Sequence, residues 1–137
     1  HRDLHSFPTR RSSDLFNVRS YELFCFCIMP NHYHILASQT GDQTISRGMH
    51  ILNSAYAKYF NTKYGLSGHL FQGTYHRKWV IGRDSMILTY AYIVNNPKKL
   101  KSIDFEKYPW LYDNRFLLKN YLARRILDQS TDEFQTL

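Results

Sequence analysis

An α+β fold, an antiparallel sheet with helices packed on it, is what the sequence predicts, and three observations predict it. The run Tyr21 to Ile28 (YELFCFCI) is apolar at nearly every position and is followed, after Met29-Pro30-Asn31, by a second short run, His32 to Ser38 (HYHILAS). Two strands joined by so short a connection pair antiparallel. From about Gln43 the apolar spacing changes to a helical one, and a further strand and helix follow.

The first strand is apolar on both alternating sets, Leu23, Cys25, Cys27 and Phe24, Phe26, Ile28, so it is expected to be central and covered on both faces. Pro30 cannot donate to a ladder and Asn31 suits a turn, which makes the second run the return strand of a hairpin. Gly41-Asp42 ends it. From Gln43 to Tyr64, the residues Ile45, Met49, Leu52, Tyr56, Tyr59, Phe60 and Lys63 form one stripe of a helix, with Asn53 and Lys58 on its polar side and Gly65 as its stop. The segment 65–73, with three glycines, reads as a loop, and Tyr75 to Ile81 as a short strand. Gly82-Arg83-Asp84 is a turn with Asp84 as N-cap, and a helix runs from Ser85 to about Asn95, ended by Pro97. Beyond it lie a basic knot (Lys98, Lys99, Lys101), an aromatic turn (Tyr108-Pro109-Trp110), an amphipathic helix over 116–127 and ten polar residues expected to fray. Trp79 and Tyr33 read as core aromatics.

This order is that of a ferredoxin-like split βαβ, an antiparallel sheet with helices on one face, whose first strand and first helix are missing. An orphaned central strand would leave an apolar edge unpaired, a liability consistent with a lost N-terminal element. The opening fifteen residues lack strand or helix periodicity, and His5 to Leu15 (HSFPTRRSSDL) resembles a sequencing adapter translated in one frame. The organisation expected is therefore a non-native tail over 1–15, a catalytic domain over 16–101 and a C-terminal helical extension over 102–137.

The length of 137 residues suits one domain, and the hydrophobic fraction of 43% with 16% aromatics excludes a disordered chain. The formal charge of +7 falls only to +6 without the tail, which removes three arginines and two aspartates. Basic charge among eleven tyrosines and nine phenylalanines favours a single-stranded nucleic acid, whose phosphates bind cations and whose bases stack on aromatic faces. No apolar stretch is long enough to cross a membrane. Cys25 and Cys27 are too close along one strand to bond each other, and a reducing, cytoplasmic setting follows.

Two constellations carry chemistry. His32 and His34 project from one strand face with Cα atoms roughly 6.5 Å apart, so their imidazoles can converge on one cation. Mg, Mn, Zn and Co remain open on donor type alone, as does a reading as two surface histidines. Tyr92 and Asn96 lie four apart on one helix face. A phenol, with a pKa of about 10, attacks well only when aligned with a polarised electrophile, and Asn96 offers a carbonyl oxygen as third ligand. The plainer alternative packs Tyr92 in the core and uses Asn96 as a helix cap. Tyr90 competes as nucleophile, but its partner four residues on is Val94.

Cys27 to Leu36 (CIMPNHYHIL), Gly68 to Tyr75 (GHLFQGTY) and Tyr92 to Lys98 (YIVNNPK) together resemble the single-tyrosine HUH transposases of the IS200-like family, in its branch associated with repetitive extragenic palindromes. The resemblance spans about residues 16–101. It implies that His32, His34 and Asn96 hold Mg or Mn on the scissile phosphate of single-stranded hairpin DNA. It further implies that Tyr92 attacks that phosphate, leaving a 3′-hydroxyl and a 5′-phosphotyrosine that a later 3′-hydroxyl can rejoin. Asn96 stands where classical relatives have Gln, and Thr74 where this branch often has Arg or Lys, a loss for which Arg77 and Lys78 can compensate. The expected DNA grip comprises His69, Gln72, Tyr75, Arg77, Lys78, Lys98 and Lys99, with Lys101 beside them. The resemblance leaves monomer and homodimer open, and places the protein in a prokaryotic cytoplasm, at the nucleoid. Two rival readings are a non-catalytic DNA-hairpin-binding protein and a small zinc module built on Cys25, Cys27, His32 and His34. The second departs from zinc spacing, since one residue separates the thiols.

Overall fold

The computed structural model describes residues 20–100, 108, 110–126 and 133–136. The expected tail over 1–15, Lys101, Pro109 and Leu127 lie outside them. Its strands are β1 (Tyr21–Ile28), β2 (Tyr33–Gln39), β3 (Lys78–Ile81), β4 (Leu111–Asp113) and β5 (Glu133–Thr136). Its helices are α1 (Ile45–Tyr64), α2 (Arg83–Val94) and α3 (Arg115–Ile126), with a 3-10 turn over Asn96–Lys99 after α2. The strands form one sheet in the order β3-β5-β2-β1-β4, and every pair is antiparallel.

This is the α+β architecture expected from the sequence. Because β5 is antiparallel to both β2 and β3, those two strands run the same way with α1 between them in sequence, which is a split βαβ unit. The edges differ from expectation. β4 pairs with β1 (Cys25 opposite Asp113) and β5 with β2 (Leu36 opposite Thr136), so the hairpin is not left with a bare apolar edge. The segment 133–136, read as part of a frayed tail, is a strand of the sheet.

Helices cover both faces of the sheet rather than one. Alternation lets β1 serve two cores, and a bulge changes which of its residues share a face. The register slips between Leu23 and Cys25, so Tyr21, Leu23 and Phe26 face α1 while Phe24, Cys25 and Cys27 face α2 and α3. The simple odd–even division drawn from sequence therefore fails at Phe24. On the first face, Ile45, Met49, Leu52, Tyr56 and Phe60 of α1 cover β1 and β2. On the second, Met86, Tyr90 and Ile93 of α2 and Leu118 and Tyr121 of α3 cover Phe24, Cys25, Cys27, Leu36 and Val80.

Local chemistry sets the ends. Thr44 caps α1, its Oγ1 accepting from the Arg47 amide at 3.2 Å, and Gly65 ends it with a left-handed φ of 63°. Within α1, Gly48 makes room for Tyr21: a Cβ there would lie 3.0 Å from the ring. Helix α2 begins at Arg83, two residues before the expected start at Ser85. Gly82, with φ 83°, takes the N-cap position given to Asp84, whose charge instead sits in the first turn against the helix dipole. Asn114 Oδ1 accepts from the Leu117 amide at 3.0 Å and starts α3. β3 is shorter than read, and Trp79 is 46% exposed because β3 is the outer strand and only Val80 turns inward.

Candidate active site

The turn after β1 is closed by the Met29 amide donating to the His32 carbonyl at 2.8 Å. His32 therefore sits one residue before β2 and His34 inside it, yet their rings meet edge to face with centroids 5.0 Å apart. His34 points to the α2 face of the sheet. There the Tyr92 ring stands 5.5 Å from its own, at 76°. Fifty-eight positions of chain separate these two residues in the sequence, and the sheet–helix packing brings them together.

Helix α2 separates its two tyrosines cleanly. Tyr90 is 7% exposed among the core side chains, and its hydroxyl finds no hydrogen-bond partner among the described residues. Tyr92 is 52% exposed, so of the two phenols weighed as nucleophile it is the one that faces solvent. Asn96 is 1% exposed, immediately past the helix end, and its amide nitrogen donates to the Tyr92 carbonyl at 3.2 Å. The capping role weighed for Asn96 is thus real. It directs the NH2 group at the helix, and the carbonyl oxygen is the atom chemically suited to a cation.

Both imidazoles are shifted towards their neutral form. Partial burial, and after it the Lys99 ammonium, keeps His32 below the usual imidazole range. Burial, then His32 and Lys99, does the same for His34. His32 Nδ1 lies 2.6 Å from Asn31 Oδ1, which can only accept, so Nδ1 carries the proton and Nε2 the lone pair. A neutral imidazole with a fixed tautomer, a second beside it and a buried amide are a donor set that fits a small divalent cation. The zinc module fares differently. Cys25 and Cys27 are fully buried thiols, burial pushing Cys27 up to about 12, and no group of three or more His, Cys, Asp or Glu gathers for a metal among the described residues.

A groove of about 1040 Å³ leads away from the histidines, walled by the loop 69–76 and by Asn53 of α1. His69, Gln72 and Tyr75 line it together with His32 and His34, as a strand-gripping role requires. Arg77 lies in the adjoining groove against α1, not on β3. Lys78 opens β3, and Lys98 and Lys99 lie on the 3-10 turn; none of these three lines either groove. Among the described residues, no carboxylate lines either groove. Three participants escaped the sequence reading. The sequence marks Asn31 only as a turn residue, though its side chain orients His32. His50 and Asn53 come from the polar side of α1, and Asn53 accepts from the Tyr33 hydroxyl at 2.7 Å. Tyr33 itself is half-buried at the groove wall, and burial, more than this bond offsets, pushes its phenol up to about 12.

The fold and site define a class: an antiparallel α+β domain that presents two adjacent histidines at the head of a groove, with an exposed tyrosine packed against one of them. The chain belongs to the IS200-like transposases, whose family model (Transposase IS200 like) matches residues 9–96, a span that holds His32, His34, Tyr92 and Asn96. Membership makes it a transposase-family protein with DNA as its partner. No curated protein and no solved structure matches it. Among the described residues, no helix is long and apolar enough to cross a membrane.

Proposed function

We propose that the protein is a metal-dependent single-stranded DNA nuclease and strand-transferase that works through a 5′-phosphotyrosine intermediate on Tyr92. The observation that supports this most is the meeting of His34 and Tyr92, with ring centroids 5.5 Å apart, beside His32. His32, His34 and Asn96 would hold Mg or Mn, and the ion would supply charge neutralisation on a non-bridging phosphate oxygen. Tyr92 attacks the phosphorus: a bond forms between its oxygen and phosphorus, the bond to the 3′-oxygen breaks, and the departing 3′-oxygen takes up a proton. The phosphodiester bond energy is retained in the new linkage, so attack by a 3′-hydroxyl reverses the step and rejoins DNA without an external energy source.

The substrate in this reading is a hairpin or palindromic single strand. Its flanking nucleotides run along the groove past His69, Gln72 and Tyr75, with Arg77, Lys78 and Lys98 on phosphates. Asn in place of Gln at position 96 favours the palindrome-associated branch. Action as a monomer or homodimer in a prokaryotic cytoplasm, at the nucleoid, accords with that branch. The test incubates the protein with labelled hairpin oligonucleotides and Mg or Mn and resolves covalent adducts on a denaturing gel. An adduct lost in Tyr92→Phe, in His34→Ala and with chelator is the expected result. Binding with no adduct from the unaltered protein would replace this reading with a non-catalytic hairpin-binding one.

A further inference from the structure

We infer that Lys99 is a catalytic residue of this site rather than one more strand-gripping lysine: its ammonium holds the Tyr92 hydroxyl in place and stabilises the negative charge that builds on that oxygen during attack. This rests on the reading of Tyr92 as nucleophile and adds a group to it. Lys99 Nζ donates to the Tyr92 hydroxyl oxygen at 3.4 Å and lies 4.4 Å from the centre of the same ring. One cation therefore engages both the face of the ring and the reacting atom.

The backbone explains how it gets there. Were α2 to continue, Lys99 would lie about 10 Å further along the axis than Tyr92. Pro97 forbids continuation, and the chain folds into a 3-10 turn closed by the Lys98 amide on Asn95 O at 3.1 Å and the Leu100 amide on Pro97 O at 2.9 Å. Asn96 and Pro97 are fully buried and anchor this turn. Lys99 thus springs from a fixed base and reaches back over the phenol. The ion pairs among the described residues lie elsewhere, at Arg115–Asp113 and Arg124–Glu22, so no carboxylate there neutralises it. Its charge also reaches both imidazoles.

An ammonium has three donors and no acceptor, so it cannot take the phenol's proton. That proton passes to water as the oxygen–phosphorus bond forms, and the 3′-oxygen takes a proton from solvent as it leaves. Lys99 acts on the charge between those events. A surface phosphate grip would act differently: it would raise affinity and leave the rate at saturation alone.

The experiment measures, for the same hairpin oligonucleotide, the single-turnover rate of adduct formation at saturating DNA and the Kd by anisotropy. Lys99→Gln is expected to slow the saturated rate about 10- to 100-fold with Kd changed less than about threefold. Lys99→Arg, which keeps the charge, is expected to recover most of the rate. A Lys99→Gln protein with weakened Kd and an unchanged saturated rate would overturn the proposal in favour of a phosphate grip. An adduct that persists in Tyr92→Phe would instead overturn the nucleophile reading beneath it. A measurement without turnover or metal stands beside these. With lysines reductively 13C-methylated, the Lys99 methyl resonance is expected to shift upfield by the Tyr92 ring current and to lose that shift in Tyr92→Leu. An unshifted Lys99 resonance would overturn the contact itself.

Discussion

On the α1 face of the sheet, the buried side chains of β1 and β2 meet one continuous helix, and the cluster they form is apolar apart from its tyrosine hydroxyls. On the opposite face, an equally apolar cluster under α2 and α3 shares the surface with His34 and Tyr92, neither of which belongs to it. The contrast shows how the site is held. Helix α2 turns Met86, Tyr90 and Ile93 inward and Tyr92 outward, so packing fixes the element while the Tyr92 phenol stays open. The first face is organised for burial. The second uses burial to aim side chains that are not buried.

The variants that probe this contrast most strongly separate activity from stability. Tyr92→Phe should reduce adduct formation by at least about a thousandfold, while urea unfolding shifts by less than about 0.5 kcal/mol, because the phenol is exposed. Phe24→Ala should do the reverse, costing about 3 to 5 kcal/mol in the same unfolding measurement, since Phe24 is fully buried and its ring packs edge-on to Tyr121 at 5.1 Å. Equal stability losses in the two variants would erase the distinction between the packed and the presented residues.

A smaller effect comes from pH. Burial, then the Asp113 charge and Cys27, holds the Cys25 thiol well above the usual range, and burial pushes Cys27 up to about 12. Both folded-state values are raised, so the unfolded chain releases these protons first. Stability is intact below the ordinary thiol value of about 8.5 and falls as pH rises from there towards about 12. Unfolding curves at pH 7.5 and pH 10 should show the loss, with a shallower slope in Cys25→Ala. Identical slopes would place the alkaline sensitivity elsewhere. The smallest expected change is Tyr90→Phe. Its hydroxyl is buried without a hydrogen bond among the described residues, so removal should leave stability equal or raise it by up to about 1 kcal/mol. Adduct formation should persist, and a large loss would show that the inward tyrosine takes part.

Much of the first face was legible in the sequence. The stripe Ile45, Met49, Leu52, Tyr56 and Phe60 is local, repeats at 3.6 residues and needs no knowledge of its partner. The second face was harder to read because its order depends on contacts distant in the chain. The bulge at Phe24 changes which residues of β1 share a face, and nothing in YELFCFCI marks it. β4 and β5 are short strands whose sequences carry little pattern; pairing with β1 and β2 defines them. Trp79 looked like core because the sequence does not show that β3 is an outer strand. Of the site, His32, His34, Tyr92 and Asn96 were legible as two spaced pairs. Their meeting across the sheet, the hold of Asn31 on His32 and the reach of Lys99 to Tyr92 are properties of packing.

The central claim is that Tyr92 is the atom donor for the DNA linkage, and mass spectrometry of the adduct tests it most directly. Protein incubated with a hairpin oligonucleotide and Mn is digested with nuclease and trypsin, and the peptide running from Asp84 to Lys98 is fragmented. The account predicts a residual nucleotide on Tyr92, with Tyr90 in the same peptide unmodified. A nucleotide on Tyr90, or on any residue outside that peptide, would contradict it.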